Sequence, residues 1–212
     1  TPLVTIRGFS ELYRHGGLRE EEDVAAAMQR IESEATRMTR LVEDLLTLAR
    51  LDEQRPLEHA PVDLLILAMD SLMDASVNAP DRKVTLVGPD DDRAAPAPIL
   101  GDENRMRQVV VNLMANALRY TPSGGILLGC RRRGGAIRIE VWDTGRGIPP
   151  EELQAIFLEF NQLGIGRSTK RSGVGLGLAI VDRIANMLDY PVLVRSRPGR
   201  GSVFSIDVPL AD

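Results

Sequence analysis

The apolar positions divide the chain into two regimes. Between Glu20 and Asp52 there is no glycine or proline, and Val24, Met28, Ile31, Ala35, Met38, Val42, Leu45 and Ala49 recur in alternating steps of four and three. That spacing predicts one long helix with a heptad stripe, which Leu41 and Leu48 widen into the face of a bundle helix. Glu20, Glu21, Glu22 and Asp23 stand at its start, where the helix dipole favours negative charge. At ~1.5 Å per residue such a helix is roughly 45–50 Å long. Leu3, Ile6, Phe9, Leu12 and Tyr13 predict a shorter helix before it, stopped by Gly16-Gly17. Two antiparallel helices cannot enclose so long a stripe, and a second copy of the hairpin would complete a four-helix bundle. A coiled-coil spacer without chemistry is the plainer alternative.

Arg55-Pro56 to Ala60-Pro61 interrupts the helical rhythm and reads as a linker. After it the periods mix. Helices are predicted over 64–77, 102–119 (with Asp102 as N-cap), 151–160 and 173–188. A strand is predicted over 83–87, a loop over 90–98, and two hairpins: 126–133 with 136–142 around Gly134-Gly135, and 192–197 with 202–208 around Pro198-Gly199-Arg200-Gly201. Three or four helices over one mixed sheet make a two-layer α/β sandwich, so the fold class is α+β. With 26 Lys+Arg against 30 Asp+Glu, the net charge of -4 argues against nucleic acid as a partner. The single cysteine excludes a disulfide framework, and the longest apolar run, Leu64 to Met69, is far short of a membrane span. Only 4% of the residues are aromatic, so aliphatics and methionine must build the core.

The candidate chemistry lies in the second region. On the helix from Asp102, Met106, Val109, Val110, Leu113 and Ala117 form the apolar face, and Gln108, Asn112, Asn116 and Arg119 fall on one polar stripe. Two carboxamides a turn apart offer neutral oxygens to a hard cation, and an arginine suits phosphate; a solvated helix face would look the same. In Trp142-Asp143-Thr144-Gly145-Arg146-Gly147-Ile148-Pro149 an aspartate ends a strand before alternating glycines. Its carboxylate can accept a hydrogen bond from an exocyclic amine, while the bland reading is a glycine turn. Gly173-Val174-Gly175-Leu176-Gly177-Leu178 opens a helix whose bare N–H groups could cradle a polyphosphate, without the spacing of a Walker or dinucleotide motif. The basic run Gly164 to Ser172 before it has the composition of a mobile lid or of an ordinary loop. Cys130 shares a strand face with Ile126 and Leu128 and reads as a packed thiol, Arg131-Arg132-Arg133 as a solvated hairpin edge, and Trp142 as core beneath a base pocket.

In order and content these motifs resemble the sensor histidine kinases of two-component systems. Residues 102–121 are similar to the family's N box, 143–149 to its G1 box, Phe157-Leu158-Glu159-Phe160 to its F box and 173–178 to its G2 box. Thr1-Pro2-Leu3-Val4-Thr5-Ile6-Arg7-Gly8 resembles the tail of the H box. The resemblance implies a dimerisation helical hairpin over 1–55, a linker over 56–61 and a catalytic ATP-binding domain of the Bergerat fold over 62–212. It implies ATP and Mg²⁺ as ligands, with Asn116 and Asn112 holding the metal and Arg119 on phosphate. Tyr120, Asp143, Gly145 and Gly147 would surround the adenine; Lys170, Gly173, Gly175, Gly177 and Leu178 would wrap the phosphates. The implied reaction moves the γ-phosphoryl group to a bundle histidine and on to a response-regulator aspartate. The partners implied are a second copy of the chain and a receiver domain, with this part cytoplasmic and the parent protein anchored in the bacterial membrane.

The departures are local. The family's acceptor histidine falls four residues before Thr1, so this stretch is expected to bind ATP·Mg without phosphorylating itself. His15 and His59 lie outside the motif and read as surface histidines. Thr1 matches the position that assists phosphatase activity in the family. Glu159 and Gln162 replace basic F-box residues, which moves phosphate contact to Arg167 and Lys170. Asp189 stands where glycine often ends the preceding helix, a place for a left-handed residue. Two other readings compete: an ATPase of the wider Bergerat superfamily, whose members place a general-base glutamate where this chain has Asn112, and a dimeric scaffold with a degenerate site.

Overall fold

The computed structural model describes residues 2–52, 57–58, 60–78, 81–88, 97–161 and 174–210. Helix α1 (Pro2–Arg14) turns at Gly16, whose φ of 70° needs a residue without a side chain, and returns as α2 (Glu21–Asp52). The turn is closed by Gly17 N–H donating to the Leu12 carbonyl at 2.8 Å, and Arg30 lies 5.9 Å from the Phe9 ring centroid across the hairpin. Part of the predicted stripe is left in water: Leu3, Leu12, Tyr13, Met28, Val42 and Leu45 are exposed, as are Val4 and Leu46 beside it. Leu41 and Leu48 pack instead on the core of the second region, and Leu51 is buried there.

The second region is built on strands β1 (Ala60–Asp63), β2 (Lys83–Val87), β3 (Pro98–Gly101), β4 (Gly125–Arg133), β5 (Ala136–Asp143), β6 (Val192–Arg197) and β7 (Gly201–Pro209). Five of them form one mixed sheet in the order β2-β4-β5-β7-β6, parallel only between β2 and β4; β1 and β3 pair antiparallel apart from it. Helices α3 (Leu64–Asn78), α4 (Glu103–Tyr120) and α5 (Gly177–Leu188) cover one face. Leu64, Leu67, Leu113, Leu128, Ile139, Ile180, Ile184 and Ile206 meet in a core with essentially no exposure, each burial worth about 1.5–3 kcal/mol. The α+β class is as read from the sequence. No helix among the described residues is long and apolar enough to cross a membrane.

The caps follow local chemistry. Asp102 accepts from Arg105 N–H at 3.1 Å and starts α4, while Asp63 Oδ1 accepts from Leu65 N–H at 2.9 Å and starts α3. Asp189 ends α5 at φ 59°, the left-handed cap expected of it.

Four expectations fail for physical reasons. Residues 151–160 do not form an α-helix; two 3₁₀ turns, Pro150–Glu152 and Ala155–Phe157, replace it. Pro149 and Pro150 lack N–H donors, and Ile156 is buried with Leu153 and Phe157 partly buried beside it, too little apolar surface to hold a helix. The last helix begins at Gly177, not Gly173, because Gly175 takes φ 83°. Pro98, placed in a loop, opens β3, and Ala60-Pro61, read as the linker's end, lies in β1; two four-residue strands are too short to show a period. Trp142 is not core. It is 45% exposed on the sheet's open face between Leu127 and Val203, donating Nε1–H to Glu140 at 3.1 Å. Inward-facing Val141 fixes this, since a strand alternates its faces.

Candidate functional site

Three segments far apart in sequence meet at a cleft between α4, the end of β5 and the start of α5. Asn116 and Tyr120 of α4, Asp143 at the end of β5 and Gly147 after it, and Gly175 and Leu178 before and in α5 line it. Gly145 adjoins: a Cβ there would strike the Tyr120 carbonyl and lie 2.8 Å from Asp143 Oδ1.

Asp143 anchors one end. Its Oδ1 accepts from Gly145 N–H at 2.8 Å, and Ser202, its partner across β5 and β7, donates from both backbone and hydroxyl. Burial pushes the carboxyl above the ordinary aspartate value, and these donors pull it back toward the charged form. The following turn is tied down on both sides. Gly147 has φ 68°, and any side chain on it would collide with the Arg197 carbonyl. Ile148 N–H donates to Ser196 Oγ at 2.7 Å, which in turn sits 3.0 Å from Ser202 Oγ.

The carboxamides form the other end. A Cβ on Gly177 would meet Asn112 Oδ1 at 3.2 Å and Asn116 Nδ2 at 3.7 Å, so the mouth of α5 lies against both amides. Asn116 Nδ2 is buried with no hydrogen-bond partner among the described residues. Such an orphan is rare in a folded chain. It is a donor ready for a phosphate oxygen, and an amide oxygen on the same helix face suits a hard cation. No cluster of three His, Cys, Asp or Glu side chains occurs among the described residues, so any metal here would depend on amides and the ligand's own oxygens.

The predicted stripe on α4 splits. Gln108 donates to Thr47 Oγ1 of α2 at 3.3 Å, and Arg119 is exposed beside Asp44 of α2 rather than in the cleft. Burial raises the Asp44 carboxyl, and the positive charge of Arg119 opposes that rise. Lys170, Gly173, Thr1, His59, Gln162, Arg167 and the 164–172 run lie outside the described residues. His15 is exposed at the end of the first hairpin arm.

Several cleft residues had no sequence signal. Ser202, Phe204 and Ile156 reach it only through the strand pairing and the 3₁₀ turns. Asn161 is placed by its bond to the Ala155 carbonyl and by Phe160, whose N–H donates to the Gly175 carbonyl at 3.0 Å. Arg146, between the two glycines of the turn after β5, also lines the cleft.

Residues 101–212 match the family described as histidine kinase-, DNA gyrase B- and HSP90-like ATPases, and residues 1–54 match the His Kinase A (phospho-acceptor) domain. The probable sensor histidine kinase TcrY of Mycobacterium tuberculosis is 42% identical over 211 residues, which is 99% of this chain and 43% of TcrY. The chain thus spans less than half the length of that relative. Among solved structures, full-length ShkA in complex with AMPPNP superposes with a TM-score of 0.72 at 29% identity, covering 100% of this chain and 47% of that one. Histidine kinase ThkA in complex with the response regulator protein TrrA gives 0.77 at 22% identity, covering 100% and 58%, a likeness of fold.

Proposed function

The chain belongs to the sensor histidine kinases, its second half to the histidine kinase-, DNA gyrase B- and HSP90-like ATPases, and from that premise we propose that the cleft binds ATP with Mg²⁺ for phosphoryl transfer to a protein histidine. The observation that carries this reading is the buried, unpartnered Asn116 amide, set with Asn112 against the bare mouth of α5 and across from a strand-end carboxylate.

In this reading Asp143 accepts from the adenine amine, and Gly145 and Gly147 let backbone approach the base. Tyr120 offers its ring to the purine. Asn116 and Asn112 would hold the metal and a phosphate oxygen, while Gly175, Gly177 and Leu178 present backbone N–H groups at the positive end of α5. Lys170 would supply cationic charge in place of Arg119, which stands beside Asp44 of α2. Bound Mg²⁺ would neutralise charge on the phosphates, and the protein's own share is positioning. Asn112, an amide, cannot take a proton from water, which disfavours hydrolysis as the purpose of the site.

The exposed apolar residues of α1 and α2 (Leu3, Val4, Val42, Leu46) are the surface for a second copy of the chain, completing a four-helix bundle. The aspartate that receives the phosphoryl group belongs to a response-regulator receiver domain; the fold relative ThkA is seen with such a partner. The parent protein is anchored in a membrane with this part on the cytoplasmic side.

Titration calorimetry with ATP and MgCl₂ tests the site. Saturable binding that is lost in Asp143→Ala is expected; no heat of binding at millimolar ATP, where even a weak site would register, overturns the reading.

A further inference from the structure

The turn Asp143-Thr144-Gly145-Arg146-Gly147 carries one long side chain, and its surroundings restrict where that side chain can act. Gly145 and Gly147 cannot bear a Cβ without striking the Tyr120 and Arg197 carbonyls. Between them the Arg146 backbone is held at both ends. Its N–H donates to the Tyr120 carbonyl at 3.4 Å, and its carbonyl accepts from Gly199 N–H at 2.7 Å. With the main chain fixed, the guanidinium lies 4.9 Å from the centroid of the Tyr120 ring, within cation–π range, and lines the cleft beside it. Among the described residues Arg146 has no carboxylate partner in any ion pair. An arginine held over an aromatic ring with no carboxylate partner has a planar group free to stack on a further π-face. It lines the cleft together with Tyr120, Asp143, Gly147 and Ile148 and sits three residues after the carboxylate in the same turn.

We propose that Arg146 is a nucleoside-binding residue: stacked with Tyr120, it forms a planar wall of the base subsite and contributes to affinity through the purine rather than through the phosphates. This rests on the cleft being a nucleotide site. A guanidinium can stack on a π-face as an ammonium cannot, so shape matters here beyond charge.

The test is displacement of a fluorescent ATP analogue by ATP, adenosine and inorganic tripolyphosphate, measured on the intact chain, Arg146→Ala, Arg146→Lys, Tyr120→Leu and the double variant. Arg146→Ala should weaken ATP and adenosine by the same factor, about 2–5-fold as for an exposed cation–π contact, and leave tripolyphosphate unchanged. Arg146→Lys should fail to restore the loss, and Arg146→Ala should have little further effect once Tyr120 is leucine. A loss seen with tripolyphosphate but not adenosine would make Arg146 a phosphate contact and overturn the proposal. So would full rescue by lysine, or strictly additive losses with Tyr120→Leu. If the unmodified chain binds the analogue and ATP while Arg146→Ala changes nothing, this inference alone fails; if the unmodified chain binds no ATP, the nucleotide-site reading fails with it.

Discussion

Replacing Asn116 with alanine should make the nucleotide-free chain more stable and deaf to ATP. The buried Nδ2 of Asn116 meets no acceptor among the described residues, and an unmet buried donor costs about 1–3 kcal/mol. Alanine also gains roughly 0.5 kcal/mol of helix propensity in the interior of α4. Against this, the lost contacts of the trimmed amide amount to about 0.8 kcal/mol for each methylene-sized group removed from packing. With one such group lost, the amide carbon, the balance favours alanine by about 0.7–2.7 kcal/mol, a rise in melting temperature of about 2–4 °C for each kcal/mol at this chain length. The ligand response moves the other way. At ATP·Mg one hundred times its Kd, the unmodified chain gains about 2.7 kcal/mol, because the unfolded chain has no site. Urea melts followed by circular dichroism, with and without ATP·Mg, read both quantities. An Asn116→Ala chain that is less stable without nucleotide, yet still gains with it, would refute the assignment of the orphaned amide to the ligand.

Two further outcomes follow from burial and backbone. The folded-state pKa of Asp143 is raised above the unfolded value by burial, so this group's contribution to stability grows as pH falls through the raised pKa and is lost as pH rises through it. ATP affinity runs oppositely, falling as the acceptor carboxylate is protonated; titrations at a series of acidic pH values should show this, and Asp143→Asn should flatten both profiles. Asp189→Gly should stabilise the fold by about 0.5–1 kcal/mol in urea melts, since it relieves the left-handed φ of 59° and removes a negative charge from the C-terminus of α5.

What was legible in the sequence was what repeats locally. The alternating four and three steps from Val24 to Ala49 dictate α2, and the apolar face from Met106 to Ala117 dictates α4, because each helix carries its own period over several turns. Strand alternation gave β4 and β5, and their hairpin follows from Gly134 with its φ of 61°. Where the determinant was tertiary, reading failed. Trp142, expected in the core, lies on the open face because the strand alternates and Val141 faces inward. The strands β1 and β3 exist because Asp63 and Asp102 fix their ends and each supplies the other's partner, which no single segment reveals. At the site, Asn116, Asp143 and the glycines were visible as motifs, and the cleft joins them. Arg119 left the group for α2, whose approach depends on how the two halves of the chain pack. Ser202 could not be foreseen, because it meets Asp143 only through the β5–β7 register.

Cys130 gives the fold an internal clock. It is the chain's one cysteine, 2% exposed on the covered face of β4, and burial pushes its thiol up to about 12. Alkylating reagents need a thiolate they can reach, and the closed sandwich supplies neither access nor charge. Modification must then wait for the helices to lift from the sheet, so the rate at which an unaltered chain is labelled measures how often its central layer breathes. No engineered probe is needed, and a nucleotide that clamps α4 against α5 would slow that clock.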